Sequence, residues 1–264
     1  MRILPRRRRS DDQRIGSMTL LDHLEELRGR LIVIMISLAV GSIPAWFLYE
    51  PLKQLIREPY CDFLTRHPDF SPSPGECNLF VSGVVDPFTI KFKIVLYVGL
   101  VIALPVVLYE LWMFIVPGLT DRERRYAVPF IASSLVLFGA GGVFAYLVLP
   151  RGLDFLLGFA GEGVVPILFF DKYFTFVVLV ILAFGVSFLL PVLLVFLEMV
   201  GVLTPETLAS WRRWAFLGIV VFAAVITPTG DPMTLAALAI PMYLFYEAAI
   251  IIGRIMRRRK SESG

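Results

Sequence analysis

The sequence predicts an all-α integral membrane protein with six transmembrane helices, and three observations carry that expectation. Of its 264 residues 57% are hydrophobic and the mean hydropathy is +0.76. Charged residues make up only 18%, against roughly 25% in an ordinary soluble domain. The apolar residues, among them 22 Phe, 18 Pro and 20 Gly, fall into long runs, as in lipid, where Pro and Gly are commoner in helices than in water. A formal charge of +3 and a pI near 8.9 are too small to point to nucleic acid, and the basic residues sit in tails and short loops beside the apolar runs.

The elements follow in order. The chain divides into a basic tail (1–17), a six-helix transmembrane domain (18–253) and a second basic tail (254–264). Arg6 to Arg9 and two Asp precede a first run too long for a signal-peptide core and without a small-residue cleavage site, so the amino terminus is expected to be retained. A helix needs about 20 apolar residues to cross a ~30 Å hydrocarbon core, and Leu31 to Tyr49 is the first such run. A polar stretch from Glu50 to Asp86 separates it from a second span, Phe88 to Phe114, in which Pro105 can introduce a kink. A charged loop around Asp121 to Arg125 precedes a third span, Ala127 to Leu149, which Pro150 is expected to stop. After a moderately polar segment, Tyr173 to Leu197 forms a fourth span interrupted by Pro191. Two shorter runs close the series: Ala215 to Ile226, of 12 residues, and Met233 to Tyr246, of 14, ending before Glu247. Twelve residues at ~1.5 Å each cover only about 18 Å. They form either a re-entrant hairpin or a short spanning pair around which the bilayer thins, and the short pair makes six spans.

Basic residues set the orientation. Eighteen of the 25 Lys and Arg lie on the side holding both tails, so both termini are expected in the cytosol. Cys61 and Cys77, with fifteen residues between them, then face the oxidising side, where a disulfide can form and persist. The alternative is two buried thiols. Nothing in the chain suggests an enzyme. None of the five Lys follows a Gly, the Gly158 to Gly163 segment lacks dinucleotide-binding spacing, and His23 and His67 fall on opposite sides. No metal, cofactor or catalytic residue is expected. The acids inside spans, Glu110, Glu198 and Glu247, are functional candidates by default, against a reading in which each reaches interfacial water.

The segment Leu20-Leu-Asp-His23-Leu-Glu-Glu26-Leu-Arg28-Gly-Arg30-Leu31 resembles the N-terminal signature of TatC, the multispanning receptor subunit of the twin-arginine protein translocase. Matches continue in order through Trp112-Met-Phe114-Ile-Val-Pro117-Gly118-Leu119, Glu123-Arg124-Arg125, Phe184-Gly-Val-Ser187-Phe188, Thr227-Pro228 with Asp231, and Ala239-Ile-Pro241-Met-Tyr243. The likeness runs from about Met18 to Arg254. It implies a cupped-hand arrangement with both termini inside, in the cell membrane. It also implies binding of twin-arginine signal peptides of folded cargo, single-span partners of the TatA and TatB type in an oligomeric receptor complex, and export driven by the proton-motive force.

The resemblance also assigns residues. Glu26 and Glu123 coincide with motif carboxylates implicated in signal-peptide recognition, and a carboxylate suits paired arginines because it accepts a guanidinium bidentately. Arg28 and Arg124 beside them are candidates for holding these acids, and Phe114 and Pro51 are further motif matches. Partner docking falls on span five near Ala224, Ile226 and Thr227. One departure stands out: where the family often reads Phe-Glu-x-Pro, this chain reads Phe188-Leu189-Leu190-Pro191. Glu198 lies nine residues further on, on the opposite face of an ideal helix, and is expected to line the cytosolic mouth and assist partner assembly. The competing class is a secondary solute transporter with buried acids and broken helices. A purely structural scaffold is a third. No repeat symmetry joins the two halves, and the motif residues crowd one rim rather than the midplane.

Overall fold

The computed structural model describes residues 20–71, 77–115, 127–159, 165–227 and 231–262. Among them the regular structure is helical, joined by short irregular segments and one isolated bridge between Phe80 and Phe169. The helices are α1 (Leu20–Phe47), α2 (Tyr49–Arg66), α3 (Asp86–Ile115), α4 (Ala127–Gly158), α5 (Phe170–Ser187), α6 (Leu190–Met199), α7 (Pro205–Ser210), α8 (Arg212–Ile226) and α9 (Pro232–Glu262), with one 3-10 turn at Pro68–Phe70.

Five stretches among the described residues are long and apolar enough to cross a membrane: Glu25–Phe47, Asp86–Met113, Val128–Gly158, Phe170–Met199 and Pro232–Arg258. Their outer faces carry large apolar side chains such as Met35, Ile43, Phe88, Val136 and Leu147, each more than half exposed. Water would penalise a surface of this kind, whereas lipid favours it.

Without a hydrophobic drive between helices in lipid, small residues allow close packing. Helix α1 packs chiefly on α3, where a β-carbon at Gly99 would run into Ser42. Helix α4 packs chiefly on α5, where a β-carbon at Gly141 would meet the Phe184 carbonyl at 2.7 Å. The α5–α6 stretch is the most buried of the five, with Phe174, Val177, Phe184 and Ser187 at the centre of the core. Pro191 stands in the first turn of α6, where its missing N–H costs little. The break before it is bridged by Phe188 N–H to Phe184 O at 3.0 Å and Leu189 N–H to Val186 O at 3.0 Å.

One end of the bundle is closed by α2. Its buried side, Ile56, Pro59, Tyr60, Phe63 and Leu64, lies on the core. Tyr173 Oη donates to the Ile56 carbonyl at 2.8 Å, and Tyr146 Oη reaches the Leu55 carbonyl at 3.0 Å and Glu58 at 2.9 Å. Arg66 pairs with Asp154 at 2.5 Å, and Lys93 with Asp171 at 2.5 Å. Cys61 and Cys77 are joined, with Cα atoms 5.3 Å apart. The disulfide ties α2 to the segment that runs on from Cys77 to Phe80, whose N–H donates to Leu168 O at 3.1 Å.

Two expectations are corrected. Pro150 does not stop the third span, because α4 continues to Gly158. The residues after it keep an apolar side, Leu153 entering the core, so packing outweighs the one backbone bond that Pro removes. The last apolar run is not short either, since α9 is 31 residues long and extends through the basic tail to Glu262. Glu247 does not end it because Arg212 of α8 pairs with its carboxylate at 2.7 Å and Tyr243 donates to it at 3.2 Å. Of the two last runs only α8 is short, its 15 residues covering about 22 Å, and it is not among the five membrane-length stretches.

Candidate functional site

Glu26 and Glu110 meet at the end of the bundle opposite α2. Glu26 lies in the first turns of α1, and Glu110 five residues before the end of α3. Between them stands Arg30. Its Nε and Nη2 donate to Glu26 Oε1 at 3.2 and 2.5 Å, and its Nη1 donates to Glu110 Oε2 at 3.0 Å. The three side chains are partly buried, 18% of Arg30, 25% of Glu26 and 14% of Glu110 remaining exposed. Two carboxylates around one guanidinium leave a formal charge of −1, in a setting where water screens it less than on an open surface.

An aromatic cluster is built around Trp112, two residues further along α3 than Glu110. Trp112 stacks on Phe130 at 5.1 Å and meets Phe196 edge-on at 4.2 Å, joining α3, α4 and α6. Its indole N–H has no acceptor among the described residues. A neighbouring cavity of about 360 Å³ is lined by Leu108, Trp112, Ile131, Leu193 and Met242, with Leu189 in its wall. The position where the resemblance expects an acid therefore faces an apolar space.

Glu198 points elsewhere. Both of its carboxyl oxygens are buried without a hydrogen-bond partner among the described residues. They lie against Gly253 of α9, where a β-carbon would overlap them. Further out, Glu206 pairs with Arg257, and Arg254 and Arg258 line the same recess. The Glu206 carboxyl is held below the ordinary glutamate range by its own backbone N–H in the first turn of α7, and then by the Arg257 guanidinium.

The remaining candidates fall as follows. Arg28 is exposed, and among the described residues Arg30, not Arg28, is the ion-pair partner of Glu26. Phe114 lies in the last turn of α3, with its side chain outside the described set. Glu123 and Arg124 lie outside the described residues. Pro51 sits in the first turn of α2, beyond the far end of α1. The part of α1 from Glu26 to Phe47 covers about 32 Å, which puts Pro51 at the opposite end of that helix from Glu26. On α8, Ala224 is exposed and Ile226 half-buried, while Thr227 is buried and donates to Ala223 O at 2.8 Å. Asp231 then caps α9, accepting from Thr234 N–H at 2.8 Å and Met233 N–H at 3.1 Å. Among the described residues no group of His, Cys, Asp and Glu is arranged to hold a metal.

A family model described as Sec-independent protein translocase protein (TatC) matches residues 22–241. A protein of Frankia casuarinae named Sec-independent protein translocase protein TatC is 43% identical over 251 residues, covering 94% of this chain and 68% of its own length. The protein of the same name from Aquifex aeolicus is 39% identical over 248 residues, covering 93% and 98%. A crystal structure of a twin-arginine translocase receptor, TatC, in DDM superimposes with a TM-score of 0.72 at 38% identity, over 88% of this chain and 99% of that one.

Proposed function

Because this chain belongs to the TatC family, we propose that it is the receptor subunit of a twin-arginine translocase. It is a multi-pass membrane protein. In this reading it spans the cell membrane six times, by α1, α3, α4, the α5–α6 pair, the short α8 and α9, with both termini in the cytosol. The Glu26 end then faces the cytosol, and the α2 cap with its disulfide faces outward. Signal peptides with paired arginines bind at Glu26 and Glu123, with Arg28, Arg124 and Phe114 around them. Single-span partners of the TatA and TatB type dock along α8 near Ala224, Ile226 and Thr227, and the assembled oligomer exports folded proteins with the proton-motive force.

The observation that carries the recognition reading is that Glu26 is half-buried and already accepts two N–H groups of a guanidinium. The test is binding of a synthetic signal peptide with paired Arg, against the same peptide with paired Lys. Charge-assisted bonds are worth about 1.5 to 3 kcal/mol. Glu26→Gln and Glu123→Gln are each expected to weaken paired-Arg binding by roughly one to two decades, at ~1.4 kcal/mol per decade. Unchanged affinity in both variants at matched ionic strength would remove the assignment. Glu198 serves partner assembly rather than recognition: Glu198→Ala is expected to lower export at equal protein abundance while leaving peptide affinity intact. Normal export from that variant would return Glu198 to a packing role.

A further inference from the structure

Glu26 does not wait empty. Arg30 fills it with two N–H groups on one oxygen, and spends a third N–H on Glu110. Only one oxygen of each carboxylate is engaged among the described residues, so the second oxygens of Glu26 and Glu110 remain acceptors. One positive group against two negative ones leaves the cluster one charge short of neutrality, and a second guanidinium would supply it.

We infer that Glu26 and Glu110 form a two-carboxylate clamp for guanidinium groups, and that Arg30 is its resident occupant, displaced from Glu26 onto Glu110 by an arginine of the arriving peptide. The inference rests on the reading that Glu26 receives that arginine. It makes Glu110 the positioning residue that holds Arg30 during the exchange, and it gives Arg30 a task besides packing.

A half-buried carboxylate with no counter-charge is costly, so a receptor that spends time without cargo gains from carrying its own cation. That cation must be able to leave without becoming an orphan, and Arg30 already holds Glu110 at 3.0 Å through a nitrogen that makes no bond to Glu26. Release from Glu26 therefore needs a swing about the Glu110 contact rather than a full exit. Finally, the entering group competes with a planar fork. Another guanidinium reproduces the same pair of donors, whereas an ammonium is a compact point charge that does not. The resident arginine thus sets a threshold that a paired-Arg peptide passes and a paired-Lys peptide does not.

The test uses the full-length protein in lipid nanodiscs, with fluorescent signal peptides carrying paired Arg or paired Lys at matched ionic strength. Glu26→Gln serves as the control on the parent reading. Removing the competitor in Arg30→Gln is expected to tighten paired-Arg binding by about three- to tenfold, and paired-Lys binding by more, so that discrimination narrows. Glu110→Gln leaves Arg30 nowhere to go and is expected to weaken paired-Arg binding by about tenfold. Arg30→Lys, which keeps the charge in case the neutral variant does not fold, is expected to bind paired Arg more tightly than wild type. If Glu26→Gln weakens binding but the Arg30 variants weaken it too, Arg30 supports Glu26 rather than competing for it, and the exchange is refuted. If Glu110→Gln has no effect, Glu110 is not part of the clamp. If Glu26→Gln itself changes nothing, the parent reading fails and the exchange with it.

Discussion

Glu198 and Gly253 meet as knob and hollow. A β-carbon at position 253 would overlap the Glu198 carboxyl, and overpacking of this kind costs about 1 to 3 kcal/mol. Alanine is also the better helix former by about 1 kcal/mol, so the net effect of Gly253→Ala is decided by Glu198. The single variant is expected to unfold at lower temperature than the parent, and Glu198→Ala in the same chain to reverse the loss. Equal midpoints for the single and double variants would disprove the coupling. At this scale the sequence is only partly readable. Glu26 and Arg30 stand four apart with the acid first, the order in which a helix pairs them best, so the contact was available from spacing, although the resemblance drew attention to Arg28. Glu110 could be named as an acid inside an apolar run, but its tie to Arg30 crosses 80 residues and depends on how α1 lies on α3. The partner of Glu247, Arg212, was hidden for the same reason.

Helices were legible where their apolar runs were unbroken, and misjudged where a proline or an acid interrupted them. Pro150 and Glu247 both read as stops, by rules drawn from water-exposed helices. Each is passed because a neighbouring element compensates, the core taking up Leu153 after the proline and Arg212 neutralising the acid. Helix α2 is hidden in the sequence because its polar, proline-containing residues suggest a loop. Its attachment is testable: replacing Cys61 and Cys77 by Ser opens a loop whose closure stabilises by roughly 3 kcal/mol in the chain-entropy model. The double variant, and the reduced parent, are expected to melt earlier than the oxidised protein, and identical melting would rule out a stabilising bridge. Helix α7 offers a dependence on pH. The folded protein holds Glu206 below the usual glutamate range, so its contribution is present at neutral pH and fades as acidification protonates it. Comparing wild type with Glu206→Gln, the stability difference is expected to shrink toward zero as pH falls through and below that range; a difference that grows on acidification would contradict the sign.

For the whole molecule, hydropathy conveyed the all-helical membrane class, because lipid demands apolar runs of fixed length. It could not convey which helices touch, since that depends on small residues such as Gly99 and Gly141 meeting across helices far apart in sequence. Orientation is open to direct measurement: a cysteine placed at Ser261, in a chain without the native pair, is expected to resist an impermeant reagent in intact cells. Labelling there would invert the proposed topology. The α2 cap has a mechanical consequence. At that end a disulfide, the Arg66–Asp154 and Lys93–Asp171 pairs and two tyrosine bonds to the backbone of α2 join elements distant in sequence. The described ties at the Glu26 end are ion pairs, at Arg30, Arg212 and Arg257, and one tyrosine bond to the backbone, Tyr246 Oη to Leu208 O at 2.6 Å. The base is thus pinned by a covalent bridge, while the described ties at the rim are all noncovalent and mostly between charges. Salt, which weakens ion pairs and leaves a covalent bridge alone, would soften the rim first.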